Sequence, residues 1–161
     1  MSDHHVYLSR EGRMRLEGEL RRLKFEERPR IVSEIKRARE MGDLSENAEY
    51  HAAKEAQGHL ERQIAELEHK LSRVLSVDVD AIPTDKVYLF AKVKIKDHRN
   101  GEEIVYTIAP PEETDIDNDV ISVKSPIGAA LLGKGVGEKV EITIPAGTLS
   151  YEILHISRDN A

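Results

Sequence analysis

The spacing of apolar residues changes abruptly near residue 76, and this change restricts the possible folds more than any other feature of the sequence. Before it, apolar residues recur at intervals of four, three, four and three: Leu60, Ile64, Leu67, Leu71 and Val74. This is the a/d spacing of a coiled coil, whose period is about 3.5 residues. After it, apolar and polar residues alternate, as in strands that bury one face. The sequence therefore predicts an α+β protein in which helices precede a β-sheet.

A similar helical spacing precedes the coiled-coil pattern and predicts a first helical arm. Its apolar positions are Leu16, Leu20, Leu23, Ile31, Ile35 and Ala38. The step of eight residues from Leu23 to Ile31 contains Pro29, and proline interrupts the backbone hydrogen bonds of a helix. The first arm is therefore predicted to be kinked or locally broken at this step.

A very short connection separates the two helical stretches. Gly42 can adopt the left-handed conformation that ends a helix, and Asp43 can cap the next helix. Helices joined by so few residues run antiparallel. We therefore predict a long antiparallel coiled-coil hairpin over residues 1–76, with its tip near residues 42–47 and a second arm from Leu44 to about Leu75.

The sequence after a predicted linker at residues 77–85 indicates a β-sheet domain over residues 86–161. Alternating segments predict short strands over residues 87–96, 103–108, 120–124, 139–144 and 149–156. Asn100-Gly101 is typical of a hairpin turn. Ser125 and Pro126 are typical of the N-cap and first position of a short helix, which Gly133 would end. The predicted sheet is mainly antiparallel and accompanied by this one helix.

Composition and charge narrow the class of protein. The chain of 161 residues has no cysteine, which excludes a disulfide framework, a thiolate zinc site and a cysteine nucleophile. It lacks an apolar run long enough to span a membrane, and its start, Met1 to His5, is unlike a signal peptide, so we expect a cytoplasmic protein without membrane contact. The formal net charge is −6. The segment from Leu8 to Met41 is nevertheless net basic, which leaves a nucleic-acid partner open.

Two carboxylates in the predicted connection allow two interpretations. Asp43 and Glu46 have the spacing of a capping box, in which the aspartate accepts from a backbone amide and the glutamate reaches back to the cap residue. Alternatively, two carboxylates at the far end of a long rod can bind a hard cation. Magnesium prefers six ligands and gives up its waters reluctantly, so a partner would have to complete such a site. The spacing alone leaves both interpretations open.

Two segments of the chain resemble a known family. GDLSENAEYHAAKE, residues 42–55, resembles the coiled-coil tip of the Gre transcript cleavage factors of bacterial RNA polymerase, and the continuation EYHAA is closest to their GreA branch. SPIGAALLGK, residues 125–134, resembles the signature of their C-terminal domain. The resemblance implies that the C-terminal domain has an FK506-binding-protein-like fold and docks on the polymerase. It also implies that the coiled coil enters the secondary channel.

The resemblance further implies roles for residues near the tip. Asp43 and Glu46 match the acidic pair that helps to hold a second Mg²⁺ ion, shared with the polymerase active site, and to orient the attacking water. Arg39 and Lys54 match a basic patch that contacts the extruded 3′ end of the nascent RNA. Cations at the scissile phosphate would stabilise the attacking and leaving oxygens.

The second segment implies a docking surface. Ser125, Pro126 and Ile127 match the residues with which the family docks on the polymerase. The sequence departs from the family at Ala129, where many members have arginine, and this departure concerns the strength of docking.

The predicted function is stimulation of the polymerase's own endonucleolytic cleavage of backtracked RNA, which rescues arrested complexes. The chain is expected to act as a monomer and not to be an enzyme alone. One alternative is a Gre-like paralogue that inhibits the polymerase through the same channel, against which the intact acidic pair argues. The other is a chaperone or prolyl isomerase built on the sheet domain. Only two phenylalanines and no tryptophan are available for the pocket of such an isomerase.

Overall fold

The computed structural model describes residues 5–158, so the first four residues of the predicted hairpin segment and the last three of the predicted sheet domain lie outside the described residues. The chain divides into two compact units. One unit contains Arg10–Ser76 together with residues 5–6, and the other contains Tyr7–Ser9 and residues 77–158. Among the described helices, none combines the length and hydropathy that a membrane crossing requires.

Long helices dominate the first unit. In chain order they are α1 (Arg10–Arg22), a π-helical turn (Leu23–Glu27), α2 (Arg28–Arg39) and α3 (Ala48–Ser72). Two short strands, β1 (Val6–Ser9) and β2 (Val74–Val77), pair in a two-stranded sheet. The helical spacing did not predict these strands. Val74, expected at the end of the coiled coil, lies on β2 instead.

The helices pair as an antiparallel hairpin, as predicted. Arg28 pairs with Glu61 at 2.9 Å and Lys24 with Glu68 at 3.2 Å, so residue numbers fall along one arm as they rise along the other. Many of the predicted apolar positions form the contact between the arms: Leu23, Ile31, Ile35, Leu60 and Ile64 are buried, and Leu20 and Leu67 pack against them. Ala53, Tyr50 and Ala56 join this contact, although the predicted spacing did not include them. The 25 residues of α3 span about 37 Å at ~1.5 Å per residue. The second arm is therefore shorter than the segment from Leu44 to about Leu75 that we predicted.

The eight-residue step in the first arm is accommodated by the π-helical turn. The backbone N–H of Arg28 donates to the carbonyl of Leu23, five residues earlier. A π-helical turn inserts one residue into an α-helix. The step of eight residues from Leu23 to Ile31 therefore completes two helical turns, as a step of seven residues does in a regular α-helix. Leu23 and Ile31, each 4 % exposed, therefore remain on the buried face. The predicted irregularity is confirmed, and it preserves the packing of the arm rather than breaking it.

The second unit is built on a sheet that, within residues 5–158, has five strands in the order β5-β4-β3-β7-β6. The strands are β3 (Ala91–Asp97), β4 (Glu103–Ala109), β5 (Val120–Ser122), β6 (Lys139–Ile144) and β7 (Gly147–Arg158). Neighbouring strands run antiparallel except β4 and β5, which are parallel. The short helix α4 (Pro126–Leu131) begins and ends close to the predicted positions.

One predicted strand begins later than expected. The alternation suggested a strand from Val87, but β3 begins at Ala91 because Phe90 has a positive φ of 71°. A bulky residue rarely adopts this left-handed region, which is incompatible with a strand. Val87 is nevertheless fully buried and belongs to the core of the second unit. Its apolar character therefore reflects burial rather than strand structure.

The turn after β3 predicts a pH dependence of stability. Asp97 is buried, and its carboxylate accepts hydrogen bonds from the Arg99 side chain, at 2.7 Å from Nη2, and from the Arg99 backbone N–H at 2.9 Å. These bonds, that of the side chain most of all, lower the pKa of Asp97 in the folded state. A carboxyl with a lowered folded pKa stabilises the fold above its unfolded pKa and loses this effect as pH falls through the folded pKa.

We therefore expect Asp97→Asn to flatten the decline of thermal stability below about pH 4, where an unfolded aspartate becomes protonated. Circular dichroism melts of both proteins from about pH 2 to about pH 7 would measure this. An equally steep acid decline in the variant would contradict the assignment to Asp97.

Candidate functional site at the hairpin tip

The connection between α2 and α3 forms one turn of 3₁₀-helix, Leu44–Glu46. Gly42 has a φ of 137°, a conformation in which a side chain would be strained. Asp43 caps the 3₁₀ turn, because its Oδ1 accepts from the backbone N–H and the hydroxyl of Ser45, each at 3.1 Å. The predicted capping box is therefore wrong. Asp43 binds the amide two residues on rather than three, and Glu46 makes no hydrogen bond back to it in the described part of the chain.

Asn47 caps the long helix instead. Its Oδ1 accepts from the backbone N–H of Tyr50 at 3.0 Å, at the start of α3. Its Nδ2 donates to the carbonyl of Ala38, in the last turn of α2, at 2.6 Å. Asparagine is among the best N-cap residues. Sequence reasoning missed Asn47 because the aspartate four residues earlier also fitted a cap, and only the start of the regular helix distinguishes them.

The predicted acidic pair is brought together on the exposed turn. Asp43 and Glu46 line one shallow, open depression of about 400 Å³, together with Met41, Asn47, Ala48 and Glu49. Residues 41–46 are all exposed. Oδ2 of Asp43 and both carboxylate oxygens of Glu46 accept no hydrogen bond from the described residues, so they are available to a ligand.

The oxygen ligands at the tip suit magnesium in kind but not in number. Carboxylate oxygens are the ligands that this ion prefers. Within residues 5–158, however, no cluster of three or more metal-ligating side chains is present. The two carboxylates therefore fit a shared magnesium site that another molecule would complete.

The predicted basic pair lies on a groove between α2 and α3. Arg39 and Lys54 line this groove with Val32, Ile35, Lys36, Glu40 and Gln57, so the two cations share one face of the hairpin. The guanidinium carbon of Arg39 lies 5.8 Å from the centre of the Tyr50 ring, within the range of a cation–π interaction. Lys54 donates to the side chain of Gln57 at 3.0 Å. The groove thus combines cations with an apolar floor.

The charge pairing of the hairpin changes towards the tip. Several cations nearer its base have carboxylate partners: Arg13 with Glu17, Arg22 with Glu19, Lys24 with Glu68, Arg28 with Glu61 and Arg30 with Glu34. In the part of the chain that the structure describes, Lys36, Arg39 and Lys54 form no ion pair. Sequence reasoning did not select Lys36, although its spacing of three residues from Arg39 places both on one helix face. Unpaired cations on one groove favour an anionic ligand.

The predicted docking residues lie at the start of α4 and differ in their surroundings. Ser125 caps this helix, since its Oγ accepts from the backbone N–H of Gly128 at 3.1 Å and donates to the carbonyl of Ser122 at 2.6 Å. Ile127 packs against the core of the second unit, whereas Pro126 is exposed. A Cβ at Gly128 would lie 2.1 Å from the Ser122 carbonyl oxygen. Much of this segment is therefore explained by local structure, and Pro126 provides its accessible surface.

Known proteins resemble the chain over nearly its whole length. The family model "Transcription elongation factor, N-terminal" matches residues 6–75, and "Transcription elongation factor, GreA/GreB, C-term" matches residues 82–158. Transcription elongation factor GreA of Chlorobium phaeobacteroides (strain DSM 266) is 50 % identical over 152 residues, which are 94 % of this chain and 96 % of that protein. GreA of Flavobacterium johnsoniae is 48 % identical over 153 residues, 95 % of this chain and 97 % of that protein.

A solved structure is also similar to the chain in sequence. The crystal structure of GreA factor homolog 1 (Gfh1) of Thermus thermophilus is 27 % identical and covers 96 % of this chain and 99 % of its own, with a TM-score of 0.45. Family membership rests on the sequence matches. At about half of all positions identical across nearly the full length of both proteins, the chain belongs to the GreA/GreB family of transcription elongation factors.

Proposed function

We propose that the hairpin enters the secondary channel of bacterial RNA polymerase and stimulates the polymerase's own cleavage of backtracked nascent RNA. The observation that carries this proposal is the exposed pair of carboxylates on the turn at the end of the hairpin, next to a groove with unpaired cations. A site for phosphate hydrolysis needs both charges, anionic ligands for a metal ion and cationic contacts to the substrate. The chain would supply them to an active site that it does not itself contain, and so would not be an enzyme alone.

In this proposal Asp43 and Glu46 hold a second Mg²⁺ ion together with carboxylates of the polymerase. When bound, the ion stabilises the negative charge that develops on the scissile phosphate. The free oxygens of Asp43 and Glu46 contribute ligands and accept hydrogen bonds from the attacking water. Arg39 and Lys54 hold the phosphates of the displaced RNA 3′ end in the groove, and the 3₁₀ turn keeps the carboxylates accessible.

The second unit would dock on the polymerase through the start of α4. Pro126 is exposed there, while Ser125 and Ile127 hold the helix in place. We also propose that the fold of this unit is FK506-binding-protein-like, which is supported by its mainly antiparallel sheet and short helix. The chemistry would then belong to the hairpin over residues 1–76, and docking on the polymerase to the domain over residues 86–161. Residues 77–85 would be the linker.

Two alternatives make different predictions. An inhibitory Gre-like paralogue would bind the same channel without stimulating cleavage, and the accessible carboxylates of Asp43 and Glu46 argue against it. A prolyl isomerase would need an aromatic pocket in the second unit, yet one of the two phenylalanines, Phe25, lies on the hairpin. An isomerase assay on a proline-containing peptide is therefore expected to give no activity.

The direct test is RNA cleavage in stalled elongation complexes with and without the protein. Purified bacterial RNA polymerase would be halted in a backtracked position on a template. Removal of the 3′ end of the nascent RNA would be followed as shortening of the 5′-labelled RNA. Faster cleavage on addition of the protein supports the proposal. Slower cleavage would establish the inhibitory alternative, and an unchanged rate despite binding to the polymerase would refute both.

Replacing Arg39 and Lys54 together by alanine is expected to weaken RNA engagement and to reduce its dependence on salt. Each cation that contacts a phosphate adds about 0.7 to the salt slope with single-stranded RNA, so the slope should fall by roughly 1–1.5. Polymerase binding should change little. Cross-linking of the RNA 3′ end to the protein across a salt titration would measure the effect. Arg13→Ala with Lys24→Ala, which removes two ion-paired cations nearer the base, is the matched control.

A further inference from the structure

Asn47 connects the two arms of the hairpin at the tip. Its amide nitrogen donates to the Ala38 carbonyl of α2, and its amide oxygen accepts from the Tyr50 N–H of α3. The Ala38 carbonyl also accepts from the backbone N–H of Met41 at 3.1 Å. One half-buried side chain thus binds both a carbonyl at the end of one helix and an amide at the start of the other, and this amide lacks a partner within its own helix.

The contact between Ala38 and Asn47 closes a loop that contains both acidic residues. Inside it, Gly42 permits many backbone conformations. Besides the short-range bonds of the 3₁₀ turn and of the Asp43 cap, the Ser45 carbonyl of the acidic turn lies 3.4 Å from Nε2 of His51 on α3. These bonds order the turn and attach it to α3, but among the described residues none of them attaches it to α2. Closing a loop reduces the conformations available to the residues within it. The position of the acidic turn relative to α2 therefore depends on Asn47.

The same side chain borders the cationic groove. Arg39 follows Ala38 directly, and its guanidinium lies over the ring of Tyr50, the residue whose N–H Asn47 binds. The Asn47 amide thus binds Ala38, which directly precedes Arg39, and Tyr50, whose ring lies under the Arg39 guanidinium. The carboxylates and the cationic groove share this one point of attachment.

We propose that Asn47 is a positioning residue, which fixes the carboxylates of Asp43 and Glu46 relative to Arg39. The metal ion held by the carboxylates and the Arg39 guanidinium can then act on the same RNA 3′ end. The proposal rests on the proposed function, since it assigns to Asn47 a part in the same cleavage reaction. Asn47 itself touches neither the RNA nor the metal ion. It acts by holding the groups that do.

Two substitutions separate this role from helix capping. Asn47→Ser and Asn47→Asp keep a good N-cap for α3, but serine is too short to reach the Ala38 carbonyl and aspartate has no hydrogen to donate to it. Asn118→Asp is the matched control. Asn118 donates to Asp115 at 2.7 Å at an exposed turn of the second unit, so the same chemical change is made away from the tip.

The stimulated cleavage rate would be measured over a range of protein concentrations, using the full-length chain and stalled complexes. We expect both Asn47 variants to lower the maximal rate about 10-fold, with the half-maximal concentration and the helical circular dichroism within about twofold of wild type. A purely structural role would instead raise the half-maximal concentration in proportion to lost helix. A wild-type maximal rate in both variants would overturn the proposal.

A second measurement does not depend on activity. Because the chain has no cysteine, nitroxide labels can be attached at Leu44→Cys on the acidic turn and at Glu26→Cys, an exposed position of the first arm. Their distance distribution can then be measured by pulsed electron paramagnetic resonance. We expect a narrow distribution with Asn47 and a clearly broader one with Asn47→Ser. Equal widths would refute the positioning role. If the wild-type chain stimulates no cleavage but the widths differ, the proposed function fails and the structural role of Asn47 stands.

Discussion

Combining Asp43→Asn with Glu46→Gln is expected to remove cleavage stimulation while leaving the hairpin folded and bound to the polymerase. Asparagine can accept the same hydrogen bonds from Ser45 as Asp43 does, because amide and carboxylate oxygens both serve as caps. Both substitutions remove the charge that a hard cation requires. Loss of a residue that hydrogen-bonds to a metal ligand typically lowers metal affinity or activity about 10–100-fold. Loss of two direct ligands should therefore lower the stimulated cleavage rate at least about 100-fold.

The structure provides a close control for this experiment. Asp78 caps another 3₁₀ turn, Val79–Ala81, by accepting from the N–H of Asp80 at 3.1 Å, as Asp43 does at the tip. Asp78→Asn combined with Glu55→Gln therefore repeats the chemistry and charge change away from the acidic turn. Cleavage rates would be measured across a magnesium titration. The loss should be greatest at low magnesium, because a higher concentration partly restores occupancy of a weakened site.

Wild-type cleavage by the Asp43 and Glu46 double variant would rule out the magnesium role and leave Asp43 as a cap. Loss of helical circular dichroism in the double variant would contradict the capping equivalence on which the design depends. The two readouts together distinguish a failure of chemistry from a failure of folding.

Deletion of Val32 is expected to destabilise the hairpin strongly, whereas deletion of Phe25 combined with Pro29→Ala should be tolerated. Both deleted residues are exposed apolar residues of the first arm, 52 % and 71 % exposed. Val32 lies in regular α-helix, so its deletion rotates Ile35 and Ala38 by about 100° off the buried face. Phe25 lies in the π-helical turn, where deletion restores the seven-residue spacing from Leu23 to Ile31. Pro29→Ala removes the residue that a regular helix would not accommodate.

The expected size of the effect follows from burial. Exposing a buried isoleucine costs about 1.5–3 kcal/mol, and the displaced alanine and misaligned tip add to this. At about 2–4 °C per kcal/mol for a chain of this size, the Val32 deletion should lower the melting temperature of the hairpin by roughly 10 °C. The Phe25 variant should stay within a few degrees of wild type. Equal destabilisation by both deletions would show that the π-helical turn does more than absorb one residue.

The parts of the fold predicted correctly are those encoded by repeated spacing. The a/d pattern located the buried face of α3 at Leu60, Ile64 and Leu67, and alternation located β4 and β6 to within a residue. Periodicity is reliable there because many residues report the same face. The short strands β1 and β2 gave no such signal, since four residues are too few to establish a period.

The tip shows a different limit. Asp43 and Asn47 are both good cap residues, and the sequence offers no repeated pattern that decides between them. The outcome depends on the 3₁₀ turn, whose start is set by Gly42, and on the Ala38 carbonyl nine residues before Asn47. That partner belongs to the other arm. A contact across the hairpin cannot be derived from local propensity, so the spacing of Asp43 and Glu46 allows a capping box that the folded chain does not form.

The second unit is discontinuous in sequence, and this affects how the protein can be divided. Tyr7–Ser9 belong to it, although the whole hairpin separates them from the rest. Leu8 is fully buried, and the backbone N–H of Ser9 donates to the Glu113 carboxylate at 2.8 Å. A fragment that begins after the hairpin would lack this piece. An independently folding version of the unit should therefore be made by replacing the hairpin with a short linker between Ser9 and Val77, which keeps both segments in one polypeptide.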